Sequence, residues 1–253
     1  MGPVTNQMLN ARKEKDCIAY TTERKFFDDG QTFIKRSLRP SEWQLNPYTG
    51  TIMIPKLGNE RLLNEAAAMK FIAENTNIPI PKLLCCFEDD EAIYLIIEKV
   101  NGIELSKLEE SKRKIVEKEV EIHLQTLHDL KSKTWGGPTG LVLPPYRVMR
   151  KSHRLQWTMK PRETEDLVFC HNDMSTHNII VDPETLKIRA ILDWEYAGFF
   201  PPEFEGAFYK RPGPSVALKG EEDDVDTLMD IMHENEVLFG EEADTDIRTE
   251  AAP

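Results

Sequence analysis

The stretch Phe169–Asp182, FCHNDMSTHNIIVD, followed at Ile191–Gly198 by ILDWEYAG, decides how this chain is read. An apolar run breaks into seven polar residues, His171, Asn172, Asp173, Ser175, Thr176, His177 and Asn178, and returns at once to apolar ones. Two accounts compete. The knot is a solvated turn, since Asp and Asn favour turn conformations, or it is a site with chemistry. The segments NIIVD and IRAILDW, joined by the turn DPETLK, read as a pair of short strands, and a hairpin returns its end close to its beginning. Asp173, Asn178 and Asp193 are therefore expected to converge. Carboxylate and amide oxygens are the hard donors that hold Mg²⁺, usually with substrate phosphates completing the shell. A further carboxylate kept off the metal can orient a hydroxyl and accept its proton. One carboxylate base, one amide ligand and one carboxylate ligand are the protein-side parts of kinase-type phosphoryl transfer.

The bulk properties leave room for that chemistry. At 253 residues, with 40% hydrophobic and 30% charged residues, the chain has the balance of a globular protein of one large or two small domains. No run approaches the length of apolar sequence that a membrane span needs. The start, MGPVTNQMLNARKEKD, has no apolar signal core, so the expected home is cytoplasmic, with a mitochondrial one as the alternative. A net charge of −12 argues against nucleic acid or an anionic membrane as partner and fits a cationic or neutral small molecule. Cys17, Cys85, Cys86 and Cys170 have no spacing that completes a zinc site, and reduced, mostly buried thiols are expected.

Working outward, residues 1–17 read as a poorly ordered leader and 240–253 as a flexible acidic tail. CIAYTTERKFFDDGQTFIKRSL reads as two strands joined at Asp28-Asp29-Gly30. In NERLLNEAAAMKFIAENTN, Leu62, Ala66, Met69 and Ala73 share a helical face, with Glu65 on or beside it. A buried carboxylate is costly unless paired, so Glu65 needs a partner. A strand, an acidic turn at Glu88–Glu91 and a second strand from Ala92 follow, broken by Asn101-Gly102. Helical spacing runs from Leu105 to Leu130 and again from Asp223 to Phe239, while KTWGGPTGLVLPPYRV reads as loop. The order is a strand-rich first hundred residues with one helix, a hinge-like glycine, and a mostly helical second part holding the strand pair.

At this point the sequence resembles the aminoglycoside phosphotransferase/choline kinase superfamily. HNDMSTHN is similar to its H-x-D-x-x-x-x-N catalytic loop and ILDWE to its metal-binding segment. The longer string from Phe169 to Glu205 looks like the fungal branch labelled phosphotransferase enzyme family. The resemblance runs from about Phe26 to Phe239. It implies an α+β, bilobal, protein-kinase-like fold, with a nucleotide-binding lobe over 1–100 and a catalytic and substrate lobe over 101–253. It implies an ATP- and Mg²⁺-dependent kinase acting on a small-molecule hydroxyl. By the same resemblance Asp173 is the catalytic base and Asn178 and Asp193 are the Mg²⁺ ligands. Lys35 in TFIKRS contacts the α- and β-phosphates, Glu65 fixes it, and Glu98 to Val100 meet the adenine through backbone groups. His171 is expected to brace the loop. Glu195, Glu203 and Glu205 are candidates for an amine-bearing acceptor.

Three features depart from the family. No glycine-rich loop precedes Lys35, and DDG is the only candidate turn. Asn172 stands where protein kinases carry the Arg of H-R-D. Gly102 to His171 is short for a region that builds the substrate wall. The unclear phosphate loop and the short middle region raise the alternative of a catalytically inactive scaffold of the same fold. A protein kinase is disfavoured, because Pro-Pro-Glu follows DWE with no room for an activation segment.

Overall fold

The residues CIAYTTERKFFDDGQTFIKRS form three strands rather than the two expected. β1 (Cys17–Tyr20) turns at Thr21–Glu23 into β2 (Arg24–Asp28), which turns at Gly30 into β3 (Thr32–Ser37). The first turn escapes a reading based on glycine and proline because Thr21 closes it with its side chain. Its Oγ1 accepts the N–H groups of Glu23 and Arg24 at 3.2 and 3.0 Å. The second turn is the expected one, with Gly30 at φ +94° and the Asp29 carboxylate accepting the Gln31 and Thr32 amides. This computed structural model describes residues 14–152 and 154–237. The tail over 240–253 lies outside the described residues, as does the leader up to residue 13. Within the remainder of that expected leader, Glu14 accepts hydrogen bonds from Lys25 and Arg36.

A two-residue ladder of β4 (Gln44–Leu45) and β5 (Ile52–Met53) leads to α1 (Gly58–Asn75), then β6 (Leu83–Asp89) and β7 (Ala92–Glu98). The β6–β7 turn places Asp90 and Glu91 both at positive φ, 46° and 60°, which matches the right-handed twist of a two-residue hairpin. All pairings in the five-stranded sheet β1-β2-β3-β7-β6 are antiparallel. α1 packs on it through Leu62, Ala66, Met69 and Ile72, all buried; Ala73 is exposed, so the helical face ends one position earlier than expected.

Beyond Gly102 come β8 (Ile103–Glu104), α2 (Glu110–His128), β9 (Lys131–Ser132), α3 (Tyr146–Lys151), β10 (Leu167–Cys170), β11 (Ile179–Val181), β12 (Ile188–Ile191), β13 (Gly198–Phe200) and α4 (Val225–Glu234). The long helix read from Leu105 starts as a separate 3₁₀ turn, and the last helix ends five residues earlier than its pattern suggested. The expected hairpin is β11–β12, extended by β8 into a three-stranded sheet; β9, β10 and β13 make another. These extra strands are two to four residues long, too short to show a period. The larger core cluster runs from Leu62, Met69 and Leu95 to Val120, Phe169, Ile191 and Trp194, so α1, the sheet and the β11–β12 hairpin share one apolar interior. Cys17 and Cys170 are buried free thiols, whereas Cys85 is exposed, contrary to the expectation of mostly buried cysteines. Among the described residues no helix is long and apolar enough to cross a membrane.

Gly102 is where the chain passes from β7 to β8. Its φ is +152°, and a Cβ there would meet Ile180 Cγ2 and the Val181 carbonyl oxygen, each at 2.6 Å. Backbone strain and overlap with a backbone atom add, since neither can be relieved by a rotamer change. Gly102→Ala is therefore expected to destabilise the fold by about 2 kcal/mol or more. Urea unfolding measures this, and a midpoint equal to that of the native sequence would show that the β8–β11 approach is not close.

Candidate active site

Lys35 lies in the middle of β3, opposite Phe26 of β2 and Leu95 of β7. Its Nζ reaches under the sheet to α1 and donates to Glu65 Oε1 at 2.6 Å. The same ammonium donates to the Asp193 carboxylate. Glu65 thus has the cationic partner its position demanded. Burial works against the charged lysine, but the carboxylates of Asp193 and Glu65 outweigh it and raise the Lys35 pKa. Burial also pushes Glu65 up, to about 7, with Lys35 opposing.

Asp193 follows β12 and sits in the left-handed region at φ 61°. Its pKa is nevertheless lowered: burial opposes ionisation, and Lys35 overcomes it. Next along the chain Trp194 is fully buried, and its indole N–H donates to the Ile191 carbonyl at 2.9 Å. That closed turn aims Asp193 back at β3.

Across from it lies the knot. Asn178 Nδ2 donates to the Asp173 carbonyl at 2.9 Å and to Asp173 Oδ2 at 3.0 Å. With its amide nitrogen spent on Asp173, Asn178 offers its Oδ1 as a hard donor toward the space it shares with Asp193. Asp173 itself is raised to about 7, by burial first and then by the negative charges of Asp193 and Glu195. His171 is fully buried, with Nε2 2.8 Å from the Leu192 carbonyl and Nδ1 accepting the Asp173 N–H at 3.2 Å. Asn172, at φ 68°, donates to the Tyr196 carbonyl at 2.8 Å. The loop is held from both sides by the segment that carries Asp193.

Two cavities meet at this cluster, and Phe26 and Asp193 line both. The smaller, about 140 Å³, is walled by Phe33, Met69, Ile97 and Leu192 with Lys35 and Asn178 at its polar end. The other, about 370 Å³, has Asp173, Glu195, Arg24, Arg61, Tyr146 and Tyr196 on its wall. Glu98 and Val100 line a third, open cleft of about 800 Å³, which shares Pro81 with the smaller cavity. The Glu98 and Lys99 amides are already donated to the Lys82 and Gln31 carbonyls, whereas the Val100 N–H has no backbone acceptor among the described residues.

The three glutamates read as substrate groups part company. Glu195 lies partly buried beside the cluster and pairs with Arg24. Glu205 points the other way, its Oε2 accepting the backbone amides of His171 and Asn172; it supports the loop. Glu203 is exposed and lines none of these cavities. Sequence reasoning missed Arg24, Arg61 and Asn64. Arg61 donates to the Tyr196 hydroxyl and to Glu23 at 2.7 Å. Asn64 donates to the Glu195 and Ala197 carbonyls at 3.1 and 3.0 Å, fastening α1 to the segment after Asp193. Arg61 and Glu65 are four apart on α1, so a charge on an apolar face was a signal for both. Arg24 carried no such signal.

Comparison with known proteins agrees with this geometry. Residues 143–211 match the phosphotransferase enzyme family. An aminoglycoside 3'-phosphotransferase from Streptomyces fradiae is 25% identical over 156 residues, 52% of this chain and 57% of the relative. The chain thus spans little more than half the length of that curated relative. Aminoglycoside phosphotransferase APH(3'')-Id from Streptomyces rimosus superposes with a TM-score of 0.51 at 17% identity, covering 78% of each chain. A thermostable mutant of aminoglycoside phosphotransferase APH(4)-Ia, in a ternary complex with AMP-PNP and hygromycin B, superposes with a TM-score of 0.50 at 14% identity, covering 75% of this chain and 68% of the other. The structural likeness shows a bilobal, kinase-like α+β fold. In that fold, and in the sequence that carries Asp173, Asn178 and Asp193, the chain is similar to the aminoglycoside phosphotransferase/choline kinase superfamily.

Proposed function

We propose that this protein is an ATP- and Mg²⁺-dependent phosphotransferase that phosphorylates a hydroxyl of a small molecule, with a nucleotide-binding lobe over residues 1–100 and a catalytic lobe beyond. The observation that carries the reading is the cluster in which Lys35 bridges Glu65 and Asp193 while Asn178 pins Asp173 beside them. The donor set fits the metal. Asp193 is ionised and Asn178 presents an amide oxygen, the hard ligands Mg²⁺ takes alongside phosphate oxygens. When bound, Mg·ATP supplies the phosphoryl group together with the charge neutralisation that its transfer requires.

The chain's own residues do the rest. The apolar small cavity takes the base and the Glu98–Val100 backbone its polar edge, with the uncommitted Val100 N–H as donor. Lys35, fixed by Glu65, is the cation for the α- and β-phosphates. Asp173 faces the larger cavity, where the acceptor hydroxyl enters, and takes its proton; a pKa near 7 suits a carboxylate to that task. Tyr146 and Tyr196 give the acceptor two aromatic faces. The wall's carboxylates Glu23 and Glu195 are already matched by Arg61 and Arg24, so a neutral polyol fits without leaving a charge stranded. The solved relatives include one in complex with ADP and streptomycin, which supports a small-molecule acceptor here.

Asp173→Asn is expected to keep Mg·ATP binding and to lose at least about 10²-fold in turnover. Asp193→Ala is expected to lose the Mg·ATP-dependent rise in thermal midpoint. Mass spectrometry of a metabolite extract incubated with enzyme and Mg·ATP would identify the acceptor as the compound gaining one phosphate with native enzyme but not with Asp173→Asn. Equal stabilisation of native and Asp193→Ala protein by Mg·ATP would remove the metal role from Asp193.

The loop works only while His171 is neutral, because its Nδ1 must accept the Asp173 amide. Burial lowers its pKa to about 4. The unfolded chain binds that proton near pH 6.5, so this group's contribution is complete above pH 6.5 and is lost as pH falls toward 4. Its size is about 3 kcal/mol. Thermal midpoints of native and His171→Gln protein should therefore converge as pH is lowered from 7 to 5, and parallel curves would contradict the brace.

A further inference from the structure

We infer that Arg24 is a phosphate-binding residue of this enzyme, which leaves Glu195 to grip the terminal phosphoryl group and so does the work of the missing glycine-rich turn. This rests on the phosphotransferase reading above and deepens it. The turn between β1 and β2 overhangs the cavity that Asp173 and Asp193 line. Its backbone cannot cradle a phosphate. Of the N–H groups from Thr21 to Arg24, that of Thr21 is given to the Arg24 carbonyl, and those of Glu23 and Arg24 to Thr21 Oγ1. Only the Thr22 N–H remains.

The residue that closes this turn supplies a cation instead. The Arg24 side chain is 7% exposed, and its guanidinium pairs with Glu195 on the wall of the same cavity. It lies close enough to act electrostatically on Lys35, Glu65 and Asp193. A guanidinium presents a planar fork of donors that matches a phosphate's oxygens as well as a carboxylate's. The Glu195 carboxylate thus occupies the role of a phosphoryl group's oxygens.

A side-chain cation besides Lys35 and the bound metal suits the charge balance here. Glu65, Asp173, Asp193 and Glu195 converge on the site, and a bound triphosphate adds further negative charge; Lys35 is already shared between two carboxylates. Release of Arg24 leaves Glu195 beside Arg61, whose Nη1 stands 3.7 Å from the same carboxylate oxygen and whose Nη2 pairs with Glu23. Glu195 is then a competitor for Arg24, and the exchange is a swap of one anionic partner for another inside a buried site.

The test compares Mg·AMP-PNP with Mg·ADP binding by calorimetry in the native protein, Arg24→Gln and Glu195→Gln, with nucleotide-free thermal midpoints as the check of folding. Loss of a charge-assisted contact to the terminal phosphate lowers AMP-PNP affinity by roughly ten-fold or more. Arg24→Gln should show that loss with ADP affinity within about two-fold, and Glu195→Gln, which frees Arg24, should bind AMP-PNP more tightly than native protein. If Arg24 only props the fold, Arg24→Gln weakens both nucleotides alike or neither, and Glu195→Gln weakens AMP-PNP as well; either result overturns the inference. Native protein that binds neither nucleotide overturns the phosphotransferase reading itself, and the inference with it.

Discussion

The ammonium of Lys35 ties three pieces of chain through charge: the middle of β3, the buried face of α1, and the left-handed turn after β12. Glu65 and Asp193 are the two ends of that bridge. Glu65 is buried, and a buried carboxylate stripped of its partner costs about 3–5 kcal/mol, while Asp193 is half-buried at the mouth of the site. Sheet, helix and hairpin are therefore held in register by the same contact that charges the site. Asn64, one residue before Glu65, reinforces it by clasping the Glu195 and Ala197 carbonyls. A helix that slid by one position would break both connections at once.

Around that bridge the site solves a problem of like charges. Asp173, Asp193, Glu195 and Glu65 lie close enough to act on one another. Lys35, Arg24 and Arg61 hold Asp193 and Glu195 ionised. Among the described residues Asp173 receives an amide hydrogen bond from Asn178, with the Ser215 hydroxyl also favouring its anion, but pairs with no cation, and its proton affinity rises with burial. The division follows from which carboxylate each cation can reach. Two carboxylates remain anionic and available to charge-seeking groups, while a third sits near neutrality and can exchange a proton.

How much of this was legible depended on distance along the chain. Asp173, Asn178 and Asp193 fall within 21 positions, and one hairpin brings them together, so turn residues and strand pattern sufficed. Glu65 announced itself by standing on an apolar helical face. Arg24 and Glu195, by contrast, are 171 positions apart, and no local pattern at either one names the other. The β1–β2 turn was hidden for a different reason: Thr21 replaces with a hydroxyl what glycine usually supplies by conformation. Glu205 shows the limit of reading charge alone. A carboxylate near a site can serve ligand or backbone, and only its orientation toward the His171 and Asn172 amides decides for the backbone.

The placement of strain supports the same division between support and chemistry. Asn172 and Asp193 are both non-glycine residues in the left-handed region, a conformation that costs of order 1 kcal/mol or more and survives only where surroundings over-determine it. Each is over-determined by the other's neighbourhood. Asn172 is tied to the carbonyl of Tyr196, three residues after Asp193, and His171 to the carbonyl of Leu192, one residue before it. The two strained turns face each other across these hydrogen bonds, of which Asn172–Tyr196 is buried and His171–Leu192 partly so. Relaxing either would release the other, and with it the approach of Asp173 to Asp193. The rigid part of the site is thus the floor formed by these turns, whereas the Arg24–Glu195 pair above it can be exchanged without disturbing a single one of those bonds.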